Sequence, residues 1–275
     1  MIYEQCIGFL KTPPLWNNKQ FGIQQFEFPS FTLNNFEASP ISYKMRLGHQ
    51  MEAVFKQLII HSSKYELLLH NLPIREGKTT MGEIDFILKP TCPTGREIET
   101  SKLVHVELTY KFYIIDMAIS EPIHRLIGPN RRDMFFTKME KIKHRQFPLL
   151  HSLEGAEALL QNGIDNNNIE HQCCFKAQLF IPFGHTSVHI RPLNKDCVSG
   201  FWIRFDDFNT LEFKSHQYYI PYKSEWVVRP NKDVKWQSHY EILMDINLRM
   251  LKENSPLVWI RKSETEIEKV FIVWF

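Results

Sequence analysis

Two stretches, MGEIDFILK at residues 81–89 and LVHVELTYKFYII at 103–115, constrain the fold more than any other part of the chain. Both are rich in β-branched and aromatic residues and flanked by turn-forming ones, so they read as strands. In a strand, side chains two apart share a face. Glu83 and Asp85 therefore point away from Ile84, Phe86 and Leu88. In the second stretch His105, Glu107, Thr109, Lys111 and Tyr113 oppose Val106, Leu108, Tyr110 and Phe112. Each strand has one apolar face and one face loaded with ionisable groups. A wet face of an antiparallel sheet would account for this, and so would a site that needs the charges.

The rest of the chain limits the choice. Its 275 residues suffice for one large domain or two modest ones, and 43% hydrophobic content marks it as globular. A net charge of +2 means that any attraction to a polyanion must be local. Five cysteines, odd in number, without CxxC and with Cys173 next to Cys174, fit a reducing, cytoplasmic setting. The N-terminus has no secretory pattern, and no apolar run is long enough to span a bilayer, so no membrane association is expected.

Residues 1–42, rich in Pro, Asn and Phe, read as an irregular arm. From Tyr43 to about His61, Leu47, Met51, Val54, Phe55, Leu58 and Ile59 recur at helical spacing. YELLLHNLPI reads as a strand ended by Pro73, and Pro90 to Gly95 as a loop. GPNRRDMFFTKMEKIKHRQF reads as a helix capped by Gly128-Pro129-Asn130 and running to about Gln146. The loop-like QNGIDNNNI at 161–169 sets a soft boundary. Short β-like runs follow, then a helix from about Tyr240 to Lys252 and a final strand pair. The expected fold is α/β: a mixed sheet flanked by helices in a core over 43–160, with a β-rich region over 170–275.

Glu52 sits beside the apolar stripe of the first long helix, and Gly48, one turn earlier, leaves room for another element to approach. An inward carboxylate near two carboxylate-bearing strands is disfavoured unless a cation joins them, and magnesium suits such oxygen ligands. The alternative is that Glu52 pairs with Lys111 or a nearby arginine.

The combination LGHQMEAVF, GEIDF, HVELTYKFY and GPNRRDMFFTKMEKI resembles an uncharacterised bacterial family of unknown function grouped with the PD-(D/E)XK nuclease superfamily. The likeness is strongest over about 43–147. It implies a restriction-endonuclease-like core and magnesium-dependent, or manganese-dependent, hydrolysis of phosphodiesters in DNA, less readily RNA. Asp85 and Glu107 would match the metal-binding carboxylates, with Glu52 assisting. The superfamily's lysine stands two residues after the glutamate, where this chain has Thr109. Lys111 lies one step further along the same face, roughly 6.7 Å on, and Lys138 on the following helix is the other candidate. If neither reaches, the fold would be a nucleic-acid-binding or interaction module without activity.

From His124 to Gln146 the lysines and arginines outnumber the acids. Arg131, Arg132, Lys138, Lys141 and Arg145 are the candidate phosphate contacts, although a solvated helix face explains such a run too. Glu83 reads as a solvated neighbour of Asp85. His185 and His189, four apart in a β-like setting, read as structural histidines.

Overall fold

The structure is a computed structural model and describes residues 1–91 and 102–275. Beyond Thr91, the loop expected to reach Gly95, with Cys92 in it, lies outside the described residues. The expected irregular arm opens instead with helix α1 (Ile2–Lys11), followed by a hairpin of β1 (Lys19–Gln20) and β2 (Ile23–Gln24). The buried stripe of α1, Gln5, Cys6 and Phe9, includes a glutamine that donates to Gln50 at 2.8 Å. A count of apolar periodicity passes over such a helix.

Helix α2 (Leu47–Ser62) buries the expected stripe but starts at Leu47, with Arg46 as N-cap and no capping side chain. Strands β3 (Tyr65–Glu76), β4 (Thr79–Pro90) and β5 (Leu103–Ile115) then form an antiparallel meander. Pro73 does not end β3, because β3 is the edge of the sheet, where a missing N–H need break no ladder bond. Helix α2 packs on the Phe86, Leu88, Val106, Leu108 and Phe112 face.

After β6 (Leu126–Ile127), which pairs with the end of β5, the opposite face receives α3 (Phe135–Lys141). A π turn (Ile142–Gln146) continues α3 into α4 (Phe147–Leu149). The Gly-Pro-Asn segment does not cap α3. Residues 128–133 close on themselves, Gly128 N donating to Asp133 O (2.6 Å) and Arg131 N to Gly128 O (2.8 Å), and the N-cap is Met134. Helix α5 (Leu153–Gln161) is capped by Ser152, whose Oγ accepts from Gly155 N at 3.0 Å.

Strand β7 (Ile169–Pro182) runs parallel to β5 from Leu103↔Ile169 to Ile114↔Phe180. The remaining elements are β8 (Val198–Arg204), α6 (Phe205–Phe208), β9 (Gln217–Tyr219), β10 (Gln237–Ser238), α7 (His239–Met250), β11 (Leu257–Arg261) and β12 (Ile267–Val273). The result is one mixed ten-stranded sheet in the order β10-β9-β11-β12-β8-β7-β5-β4-β3, with β6 beside β5. The chain is thus α/β with a large mixed sheet flanked by helices. The sheet runs straight through the boundary expected at 161–169, since β5 and β7 pair across it. Among the described residues no helix is long and apolar enough to cross a membrane.

Candidate functional site

Strands β4 and β5 pair at Phe86↔Val106, Ile87↔His105 and Leu88↔Val104 and then separate. Asp85 and Glu107 are the next residues past that ladder, but the expected alternation does not run through Asp85: Ile84 packs with Ile87 and Leu149, whereas Phe86 and Leu88 pack on the α2 side. Asp85 fills the place of the lost strand bond: its Oδ2 accepts from Leu108 N at 2.9 Å. Glu107 is only 1% exposed. Its Oε2 accepts from Gln146 Nε2 at 3.1 Å, while its Oε1 lies 3.3 Å from His105 Nε2 without hydrogen-bond alignment and has no partner. Gly82 lies under the same helical segment: a Cβ there would meet the end of the Leu149 side chain, Cδ2, at 2.7 Å, so a larger residue would make Leu149 shift.

Burial first, and then the charge of Glu107, push the Asp85 carboxyl well above the usual carboxylate range; the Leu108 amide and Lys138 pull the other way. Glu83 is partly buried, and burial followed by the charge of Glu52 raises its pKa. Glu52 does not pair with Lys111. Its Oε2 accepts from Asn71 Nδ2 at 3.2 Å and lies 3.0 Å from His49 Nδ1.

The two candidate lysines differ sharply. Lys111 Nζ is 2.5 Å from Asp133 Oδ2 and is committed to it. Lys138 has no ion pair among the described residues, and its charge acts on Asp85. Of the other basic residues, Arg131 is occupied, 3.6 Å from Asp116 and 4.5 Å over the Phe275 ring. Arg132, Lys141 and Arg145 are exposed.

Lys138 and Glu52 both line a cavity of about 610 Å³ between the start of α2 and the 128–133 loop. Arg46, Lys111, Arg132, Lys138 and Lys223 bring five positive charges to it, against Glu52 and Asp133. Asp85 and Glu107 lie behind its wall, which begins at Leu108 and Thr109. Gly48 admits no neighbouring element: no atom lies within 4 Å of where its Cβ would be, and it opens on the cavity. The C-terminal region contributes Lys223 and Trp226 and holds the loop in place. Asn130 Oδ1 accepts from Ser255 N (2.7 Å), and Ser255 Oγ donates to Pro129 O (2.8 Å).

Among the described residues no group of three or more His, Cys, Asp or Glu is arranged to hold a metal ion. Magnesium needs less, since one or two carboxylates suffice when water and substrate oxygens complete its shell. The carboxylates of Asp85 and Glu107, near enough for the charge of one to act on the other, have the chemistry for that smaller requirement.

A histidine chain behind Glu107 escaped the sequence reading. His105 Nδ1 is 2.9 Å from His171 Nδ1, and His171 Nε2 is 2.9 Å from His151 Nε2 at the surface. Phe147 stacks on His171 at 4.9 Å, and burial, followed by the charges of His105 and His151, lowers His171 to about 4. Only the register of β5 with β7, His105↔His171, brings the rings together. His185 and His189 are exposed rather than structural, as the loop beyond β7 carries them out of the sheet.

A family model described as Domain of unknown function (DUF1853) matches residues 17–273. No curated protein and no solved structure matches the chain.

Proposed function

We propose that this chain, which belongs to the DUF1853 family, is a metal-dependent nuclease-like protein that hydrolyses phosphodiester bonds in DNA, less readily in RNA. The observation that carries this reading is the pair of half-buried Asp85 and buried Glu107 at the fork of β4 and β5, with the uncommitted Lys138 acting on Asp85. The order of elements supports a restriction-endonuclease-like core: helix α2, the β3–β4–β5 meander, the helices α3 to α5, then β7 parallel to β5.

Asp85 and Glu107 would hold magnesium or manganese directly, with Glu52 across the cavity as a further acidic group. Such an ion would stabilise charge developing at phosphorus and make a bound water more acidic. Lys138 takes the role that the superfamily gives to the residue in the Thr109 position, orienting the attacking water and meeting developing negative charge. Lys111, neutralised by Asp133, fixes the 128–133 loop instead. Arg132, Lys141 and Arg145 meet the phosphate backbone outside.

A binding module without turnover is the second reading. Two observations favour it: Thr109 stands where a lysine is usual, and the two carboxylates lie behind the cavity wall. The deciding experiment follows cleavage of single-stranded and duplex DNA, linear and circular, in magnesium and in manganese. The expected result is metal-dependent cleavage that Asp85→Asn abolishes and Lys138→Ala lowers by about 10²-fold, with a much smaller loss for Lys111→Ala. Metal-independent binding without turnover in every condition, unchanged by Asp85→Asn, establishes the binding module instead.

A further inference from the structure

We propose that the cavity at the start of α2 binds a terminal phosphomonoester carried on a flat apolar body: the phosphorylated end of a nucleic-acid strand, or a free mononucleotide. This deepens the nuclease reading and rests on its polyanionic substrate.

Three independent features meet there. The first is the end of α2 itself, a helix of 16 residues with no capping side chain and no acidic residue in its first turn. The first bond of its ladder is Gln50 N to Arg46 O (3.1 Å), so the amides of Leu47, Gly48 and His49 have no acceptor within the helix. Such an end attracts anions. It is also accessible, because Gly48 places nothing between the backbone and the cavity.

The second is Thr109. It is 3% exposed, lines the cavity, and its Oγ1 has no hydrogen-bond partner. Burying an unpaired hydroxyl is unfavourable; the oxygen is enclosed behind the cavity wall, and a turn of the side chain would offer it to a phosphate oxygen in the cavity.

The third is the uneven lining. Arg46, Arg132, Lys138 and Lys223 have no ion pair among the described residues, whereas Asp133 is taken by Lys111 and Glu52 accepts from Asn71. Facing them are the apolar side chains of Leu108, Phe112 and Trp226. A volume of about 610 Å³ lies within the range of small-ligand pockets. It has room for one nucleotide unit and none for a duplex, so a continuous backbone stays outside on Lys141 and Arg145 while an end enters.

The test titrates the full chain in EDTA, which makes binding independent of any metal and of turnover. The probes are inorganic phosphate, adenosine 5′-monophosphate, and one single-stranded decanucleotide bearing a hydroxyl at both ends, a 5′-phosphate or a 3′-phosphate. A terminal phosphate should tighten binding by about ten-fold or more. Gly48→Glu, which projects a carboxylate into open space without touching the core, should erase that gain while leaving the melting temperature intact. Thr109→Val should reduce it by about three- to ten-fold.

Equal affinity for phosphorylated and unphosphorylated strands, or a gain that survives Gly48→Glu, overturns the pocket. A mononucleotide bound as tightly as the phosphorylated strand identifies the free nucleotide as the occupant; a tighter strand identifies the chain end. End-dependent binding with no cleavage in magnesium upholds the pocket and sinks the hydrolytic reading. Cleavage without end preference does the reverse.

Discussion

Asp85 and His171 pull the pH dependence of stability in opposite directions. The folded state raises Asp85 above its ordinary value near 3.8, so it favours the protonated acid. That contribution is complete below about pH 4 and is lost as pH rises through the folded value. His171 is lowered from 6.5 to about 4. Its contribution is complete above about pH 6.5 and disappears as pH falls to about 4. Without divalent metal, Asp85→Asn should therefore melt higher than wild type at pH 7, with the difference vanishing below about pH 4. Magnesium should raise the wild-type melting temperature by mass action and leave Asp85→Asn unmoved. Identical melting of the two proteins at pH 7, with neither responding to magnesium, would show that the carboxylates do not repel and hold no ion. The strands that carry the acidic residues were legible in the sequence, but strict alternation was not a guide to β4, where Ile84 and Phe86 pack on different sides. Which lysine serves the acidic pair was not legible either. That depends on Asp133 reaching Lys111 from a closed loop that the sequence presents as a helix cap.

Among the elements, the positions of α2, β4 and β5 follow from periodicity, while the α3–α4 segment meets β4 most closely at a glycine. Gly82 has no special backbone angle to mark it. Its role is spatial, and only the packing of Leu149 over β4 reveals it. The same holds for Gln146, a neutral residue in a basic run, which reaches Glu107 because a π turn rotates the helix there. Gly82→Val should drive Leu149 off the strand and destabilise the protein by about 1–3 kcal/mol. Adding Leu149→Ala makes space, so the double variant should lose less than the sum of the single losses. Strict additivity in thermal or denaturant unfolding would mean that the helix is not pressed onto β4. Helix α1 and the parallel pairing of β7 with β5 were illegible for another reason: the first buries a glutamine, and the second joins strands more than fifty residues apart.

The continuous sheet makes the two ends of the chain depend on one another. Pairing of β5 with β7 crosses the loop-like stretch at 161–169, and the N-terminal arm closes the exposed edge of β7, with Leu15 N donating to Phe175 O and Phe26 N to Cys173 O, both at 2.9 Å. A buried polar chain runs across the sheet in the same sense. Lys269 Nζ on β12 donates to Gln178 Oε1 on β7 (2.6 Å), Gln178 Nε2 donates to the Tyr110 hydroxyl on β5 (2.9 Å), and that hydroxyl meets Thr12 Oγ1 after α1 (2.6 Å). Cutting the chain at the loop would leave β5 without its longest partner and would break the Gln178–Tyr110 bond, leaving Gln178 Nε2 an unpaired buried donor, which costs about 1–3 kcal/mol. The cavity would lose Lys223, Trp226 and the Ser255 contacts that hold its loop. The full chain should therefore unfold in a single transition, with fluorescence and far-ultraviolet circular dichroism coincident. Fragments 1–161 and 170–275, expressed separately, should show no cooperative melting. A fragment 1–161 that melts cooperatively and still binds a 5′-phosphorylated strand would show that the acidic fork and its cavity stand without the C-terminal strands.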